Sequence, residues 1–167
     1  RSDWGYYPDP FAFNRMQYDA AQRTLYIFDE LTAYKQGNKE TADSLLAKGI
    51  TRNDRITADS AEPKSIADYN KFGLSCVGAQ KGAGSVEYSM KWLQQLNSIV
   101  IDPKRCPDTV KEFTSYEYER TKDGDIISGY PDRDNHHIDA VRYGTEPIYR
   151  VPGQPVPKRY VPIIGMG

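Results

Sequence analysis

Short apolar runs that stop at Asp, Gly or Pro alternate with amphipathic stretches through the middle of this chain, and few folds accommodate that alternation. Arg55-Ile56-Thr57-Ala58-Asp59 is a brief strand pattern ending in an acid. Pro63 stands where a first helical turn accepts it, and the helical spacing runs on from Ser65 to Phe72 before Gly73 closes it. Leu74 to Gln80 is again strand-like, and Ser85 to Leu96 places Val86, Met90, Trp92, Leu93 and Leu96 on one helical stripe. Ile99-Val100-Ile101 is a buried-strand run stopped by Asp102-Pro103, and Asp108 is placed to cap a helix through Val110 and Phe113. Strand followed by helix, repeated three times, predicts an α/β fold with a parallel inner part.

The flanks add an antiparallel part. Ser2 to Tyr7 is extended and runs into the turn Pro8-Asp9-Pro10, which sets Asp3 at or near a strand end. Phe11 to Tyr18 and Thr24 to Leu31 are β-rich and separated by the polar Asp19-Ala20-Ala21-Gln22-Arg23, the pattern of a hairpin. Asn38 to Lys48 follows with helical spacing. Between Tyr116 and Tyr130 the turn sequence Lys122-Asp123-Gly124-Asp125 predicts a second hairpin, and Asp134 or Asn135 is placed to cap a last helix from His136 to about Tyr143. Pro147, Pro152, Pro155, Pro157 and Pro162 crowd the remainder, which reads as an irregular tail. The expected organisation is one domain over residues 1–146 and a Pro-rich tail over 147–167.

Composition narrows the function. Twenty-two Lys and Arg against 23 Asp and Glu leave a formal net charge of −1, which excludes a broadly basic nucleic-acid binder and confines any such contact to a local patch. Cys76 and Cys106 lie thirty residues apart without a metal-binding spacing, a pattern that fits a reducing cytosol. No apolar run approaches the roughly 20 residues that a membrane span needs, so a soluble, intracellular chain is expected.

Asp3, Asp59 and Asp139 occupy ends of predicted elements, two after strands and one on the last helix. Converging carboxylates repel one another unless cations neutralise them, and hard oxygen ligands select Mg²⁺ or Mn²⁺. His136 lies three residues before Asp139 and shares its helical face, whereas His137 points about a quarter turn away. Lys81-Gly82-Ala83-Gly84-Ser85 fails the phosphate-loop template, since no Lys precedes Ser85. Lys81 at that turn, with Lys104, Arg105, Lys111, Arg120 and Lys122 near the second hairpin, are the basic candidates for phosphate contact.

Four blocks carry a resemblance. Asp3-Trp4-Gly5-Tyr6-Tyr7-Pro8-Asp9-Pro10, Ala58-Asp59-Ser60-Ala61-Glu62-Pro63-Lys64-Ser65-Ile66, Gln80-Lys81-Gly82-Ala83-Gly84-Ser85-Val86 and Asp134-Asn135-His136-His137-Ile138-Asp139-Ala140-Val141-Arg142-Tyr143 stand in this order. Over residues 3 to about 146 the chain resembles the C-terminal nuclease domain of tailed-bacteriophage large terminases of the PBSX and related families. It departs from them in carrying only Arg1-Ser2 ahead of its first acid.

The resemblance implies an RNase H-like mixed sheet, with antiparallel first strands and parallel inner strands, flanked by helices. It implies a two-metal endonuclease that cuts concatemeric double-stranded DNA during genome packaging with little sequence preference. The family's acids fall on Asp3, Asp59 and Asp139, which would hold two divalent ions, Mg²⁺ or Mn²⁺; its histidine falls on His136, and Asp134 is a nearby accessory acid. An N-terminal ATPase domain, a portal protein and a small terminase subunit would be its partners in the host bacterial cytoplasm, with this domain monomeric when isolated. Two other readings stay open: a resolvase- or transposase-type nuclease, and a non-catalytic module that docks DNA or a portal.

Overall fold

A computed structural model describes residues 10–116, 135–149 and 160–167. The chain opens with the expected hairpin, β1 (Phe11–Asp19) and β2 (Thr24–Ala33). Its turn is tied by the Gln22 N–H donating to Asp19 Oδ1 at 3.1 Å. The register slips between Arg15 and Met16, so that Phe28 on β2 has no partner on β1, the signature of a β-bulge. α1 (Asn38–Ala47) leads to β3 (Arg55–Ala58), α2 (Pro63–Lys71), β4 (Ser75–Gly78), α3 (Ser85–Gln94), β5 (Ser98–Ile101) and α4 (Pro107–Ser115). Each agrees with the sequence pattern to within a few residues. α4 differs in one detail: Cys106 is its N-cap, and Asp108 lies inside the first turn. The expected second hairpin falls on residues 117–134 and so lies outside the described residues.

α5 (His136–Tyr149) extends six residues beyond the Tyr143 end that its pattern suggested and runs through Pro147. β6 (Tyr160–Met166) corrects the expectation of an irregular tail. It enters the middle of the six-stranded sheet, whose order is β4-β3-β6-β1-β2-β5. β6 pairs antiparallel with β1 along its whole length but meets β3 only from Ile164 to Met166. Pro162 therefore sits where one flank is still unpaired, which is where a strand tolerates a missing N–H. α5 crosses the expected boundary at residue 146, and β6 shares the sheet with the strands before it.

β1 alone runs against the others. It is antiparallel to both neighbours, while β3–β4, β3–β6 and β2–β5 pair in parallel. The sheet is thus mixed in the way the sequence predicts. Helices cover both faces, as a parallel inner sheet requires. On one face Phe13, Ile56, Ile164 and Met166 pack with Leu45, Tyr69 and Leu74 of the α1–α2 side. On the other Met16, Leu25, Ile27 and Ile163 meet Leu93, Cys106 and Val141 of the α3–α5 side. Consecutive Ile163 and Ile164 enter opposite clusters, the period-two alternation of a central strand.

Candidate active site

A cleft of about 840 Å³ opens at the carboxyl ends of β2, β3 and β6, the end of a parallel sheet where ligands bind. Ala33, Ala58 and Met166 mark those strand ends, and Lys35, Asp59, His136, Asp139, Arg142 and Tyr143 complete its polar wall. The chain enters β1 at this same rim, through Pro10 and Phe11.

Asp59 follows β3 directly. Its backbone N–H donates to Met166 O at 3.2 Å, which ties it to the end of β6. Its carboxylate accepts the Ala61 N–H at 2.8 Å and holds the Lys81 ammonium at 2.5 Å. Asp139 stands in the first turn of α5 and accepts two bonds from Arg142, at 2.7 and 3.2 Å. A Cβ on Gly167 would lie 3.4 Å from the Asp139 Cβ. The two acids therefore flank consecutive residues at the end of one strand, although 80 positions separate them in the chain.

The electrostatics couple them. Burial pushes the Asp59 carboxyl up, but the bonds from Lys81 and Ala61 and the charges of Lys81 and Arg142 hold it below its ordinary value. Burial lowers and the Asp139 carboxylate raises the Arg142 guanidinium, with a net rise. Tyr143 is pushed up by burial and by both Asp139 and Asp59. Its ring lies between the cations, 5.7 Å from Lys81 Nζ and 5.2 Å from Arg142 Cζ. Asp59 and Asp139 share this cleft because Lys81 and Arg142 already neutralise them.

The donor set fits a divalent cation. Asp59 and Asp139, with the His136 imidazole, line the cleft beside a third carboxylate, Glu62, and hard oxygen donors suit Mg²⁺ or Mn²⁺. The described residues in which three donor atoms fall within 4.8 Å of one another are others, Glu30, Asp108 and His137. That cluster is already committed to hydrogen bonds. Glu30 Oε1 accepts both the N–H and the hydroxyl of Thr109, at 2.9 and 3.0 Å. His137 Nδ1 meets Asn14 Oδ1 at 2.8 Å, and Thr32 Oγ1 bridges His137 Nε2 at 2.7 Å and Asp108 Oδ2 at 2.6 Å. Burial pulls the His137 ring down to about 4, against the Asp108 charge. We read the cluster as the pin that fastens α5 to β1, β2 and α4.

Of the residues singled out in the sequence, Asp59, Asp139, His136 and Lys81 come together in this cleft. Lys104 and Arg105 do not line it. Lys104 lies on the β5–α4 connection with its N–H on Asp102 Oδ1, and Arg105 stands 6.0 Å over the Phe28 ring. Asp3, Arg120, Lys122 and Asp134 lie outside the described residues. Sequence reasoning missed Arg142 and Tyr143, although Arg142 follows Asp139 at the spacing of a helical ion pair. It also missed His137 and Glu112, whose carboxylate accepts the His137 and Ile138 N–H groups at 2.8 and 3.1 Å and so closes the amino end of α5.

Comparison with known proteins agrees with this architecture. The family model described as "Terminase RNAseH like domain" matches residues 3–146. The large terminase subunit of Bacillus phage SPP1 is 44% identical over 146 residues, covering 86% of this chain and 34% of that protein. The PBSX phage terminase large subunit of Bacillus subtilis is 31% identical over 144 residues, covering 86% of this chain and 33% of its own length. The crystal structure of the large terminase nuclease domain from bacteriophage SPP1 with bound Mn matches at 42% identity and a TM-score of 0.78, over 86% of this chain and 81% of that one. The chain spans about a third of the length of the curated relatives it matches. Its mixed sheet is RNase H-like, and β6 lies beyond the residues that the family model matches.

Proposed function

Because this chain belongs to the terminase RNase H-like domain family, we propose that it is a metal-dependent endonuclease domain that hydrolyses both strands of DNA with little sequence preference. The observation that carries the reading is the convergence of Asp59, Asp139 and His136 on one cleft at the carboxyl ends of parallel strands. The SPP1 relative, crystallised with bound Mn, supports the choice of a divalent ion. Asp59 and Asp139, joined by Asp3, would hold two ions, Mg²⁺ or Mn²⁺, and His136 would orient the attacking water or take a place on the second ion. Bound ions of this kind lower the pKa of a water and stabilise a leaving oxygen.

The protein's own part is positional. Asp59 is fixed by its backbone bond to Met166, and Asp139 by a helix whose first turn Glu112 closes. Lys81, Arg120 and Lys122 would supply phosphate contacts, while Lys104 and Arg105 fall outside the cleft. In a full-length protein an ATPase domain, a portal protein and a small terminase subunit would bring concatemeric phage DNA to the site in the host cytoplasm.

Supercoiled plasmid with Mn²⁺ tests the proposal, with wild type compared against Asp139→Ala and Asp59→Asn. The wild type should nick and linearise the plasmid, and either variant should lose at least about a hundredfold in rate. Undiminished cleavage by both variants would overturn the assignment.

A further inference from the structure

The two cations on the cleft acids are held very differently. Arg142 projects from α5 with a side chain only 8% exposed, and it donates a further bond to Ser89 Oγ at 3.1 Å. It is a built-in part of the site. Lys81 stands on the connection between β4 and α3, outside any helix or strand, with a side chain 44% exposed. Its ammonium nevertheless sits on Asp59 Oδ1, on the carboxylate that would hold a divalent ion.

We propose that Lys81 is an exchangeable counter-cation: its ammonium occupies the Asp59 seat when no metal is bound, and a divalent ion enters by displacing it. This rests on the metal-dependent reading of the site and adds to it a residue that sets metal affinity. A divalent ion on this carboxylate would stand a few ångströms from the Lys81 ammonium, and their repulsion makes the two cations compete for the one anion. The exposed and flexible partner is the one that leaves. No bond forms or breaks in the exchange, since Lys81 departs still protonated and Asp59 changes only its cation. The displaced ammonium stays beside Tyr143, at the cleft rim, where a phosphate of bound DNA would be its next partner.

Calorimetric titration of the whole chain with Mn²⁺, at about 0.15 M ionic strength, tests the exchange without reading activity. Lys81→Gln should bind Mn²⁺ about two- to fivefold more tightly than wild type, the range that a half-exposed ion pair represents. Lys81→Arg, which keeps a competing cation, should return to wild-type affinity. Lys91→Gln removes an equal charge from the exposed pair with Glu87 and should leave affinity unchanged. Equal or weaker binding by Lys81→Gln would overturn the inference while leaving the metal site intact. Absence of saturable binding in both wild type and Lys81→Gln, or binding undiminished in Asp59→Asn, would overturn the metal reading and this inference with it.

Discussion

Glu112 shows how a single side chain serves the site without lining it. Its carboxylate closes the amino end of α5, and burial, with the charges of Asp139 and Asp108, pushes it up to about 7 despite the His137 and Ile138 N–H bonds. The folded protein therefore binds a proton here at pH values where the unfolded chain, near 4.5, has lost it. Stability from this group is fully present below the unfolded value and is lost as pH rises to about 7. Glu112→Gln keeps an acceptor for the helix and removes the charge. In metal-free buffer the variant should match wild type at about pH 4.5 and exceed its stability at about pH 8 by roughly 1–3 kcal/mol. Urea denaturation at the two pH values measures this, and a variant no more stable at the higher pH would refute the account. His136 and His137 carry a related lesson. Their spacing from Asp139 correctly sends His136 to the cleft, but nothing local reveals that Asn14 and Thr32, more than a hundred positions earlier, wait for the ring of His137.

At the scale of elements, what was legible followed from periodicity. The hairpin, α1 to α4, β3 and β4 each bury a stripe or an alternation that the residues spell out, so their order along the chain could be read directly; β5 was legible as a strand but not as a buried one, because it lies at the sheet edge with Val100 47% exposed. β6 was not legible. Pro162 argues against a strand, and only the arrangement of flanks in the finished sheet makes it tolerable. The same strand makes a close backbone approach to α5. A Cβ at Gly165 would overlap the Ala140 carbonyl oxygen and come within 2.7 Å of the Gly144 N, so α5 lies directly on the backbone of β6. That contact sets the height of the helix that presents His136 and Asp139. Gly165→Ala should push the helix off the sheet and destabilise the fold by more than about 3 kcal/mol, seen as a lowered urea midpoint with unchanged slope. A loss below about 1 kcal/mol would mean that the helix is not seated on this strand.

Across the whole molecule, charge decides how DNA can be held. With 22 Lys and Arg set against 23 Asp and Glu, the chain carries no basic excess, and Arg142 at the cleft is already committed to Asp139. Phosphate neutralisation would then fall to a handful of groups: Lys35 and Lys81 at the cleft, with Arg120 and Lys122 from the intervening segment. Each neutralised phosphate contributes about −0.9 to the slope of log K against log salt, so four contacts imply a slope of about −3 to −4. Fluorescence anisotropy on a DNA duplex, with Ca²⁺ replacing the ion that supports cleavage, reads that slope directly. The Arg120→Ala, Lys122→Ala double variant should flatten it by about 2. A wild-type slope steeper than about −6, or one that the double variant leaves untouched, would place the duplex on a different surface.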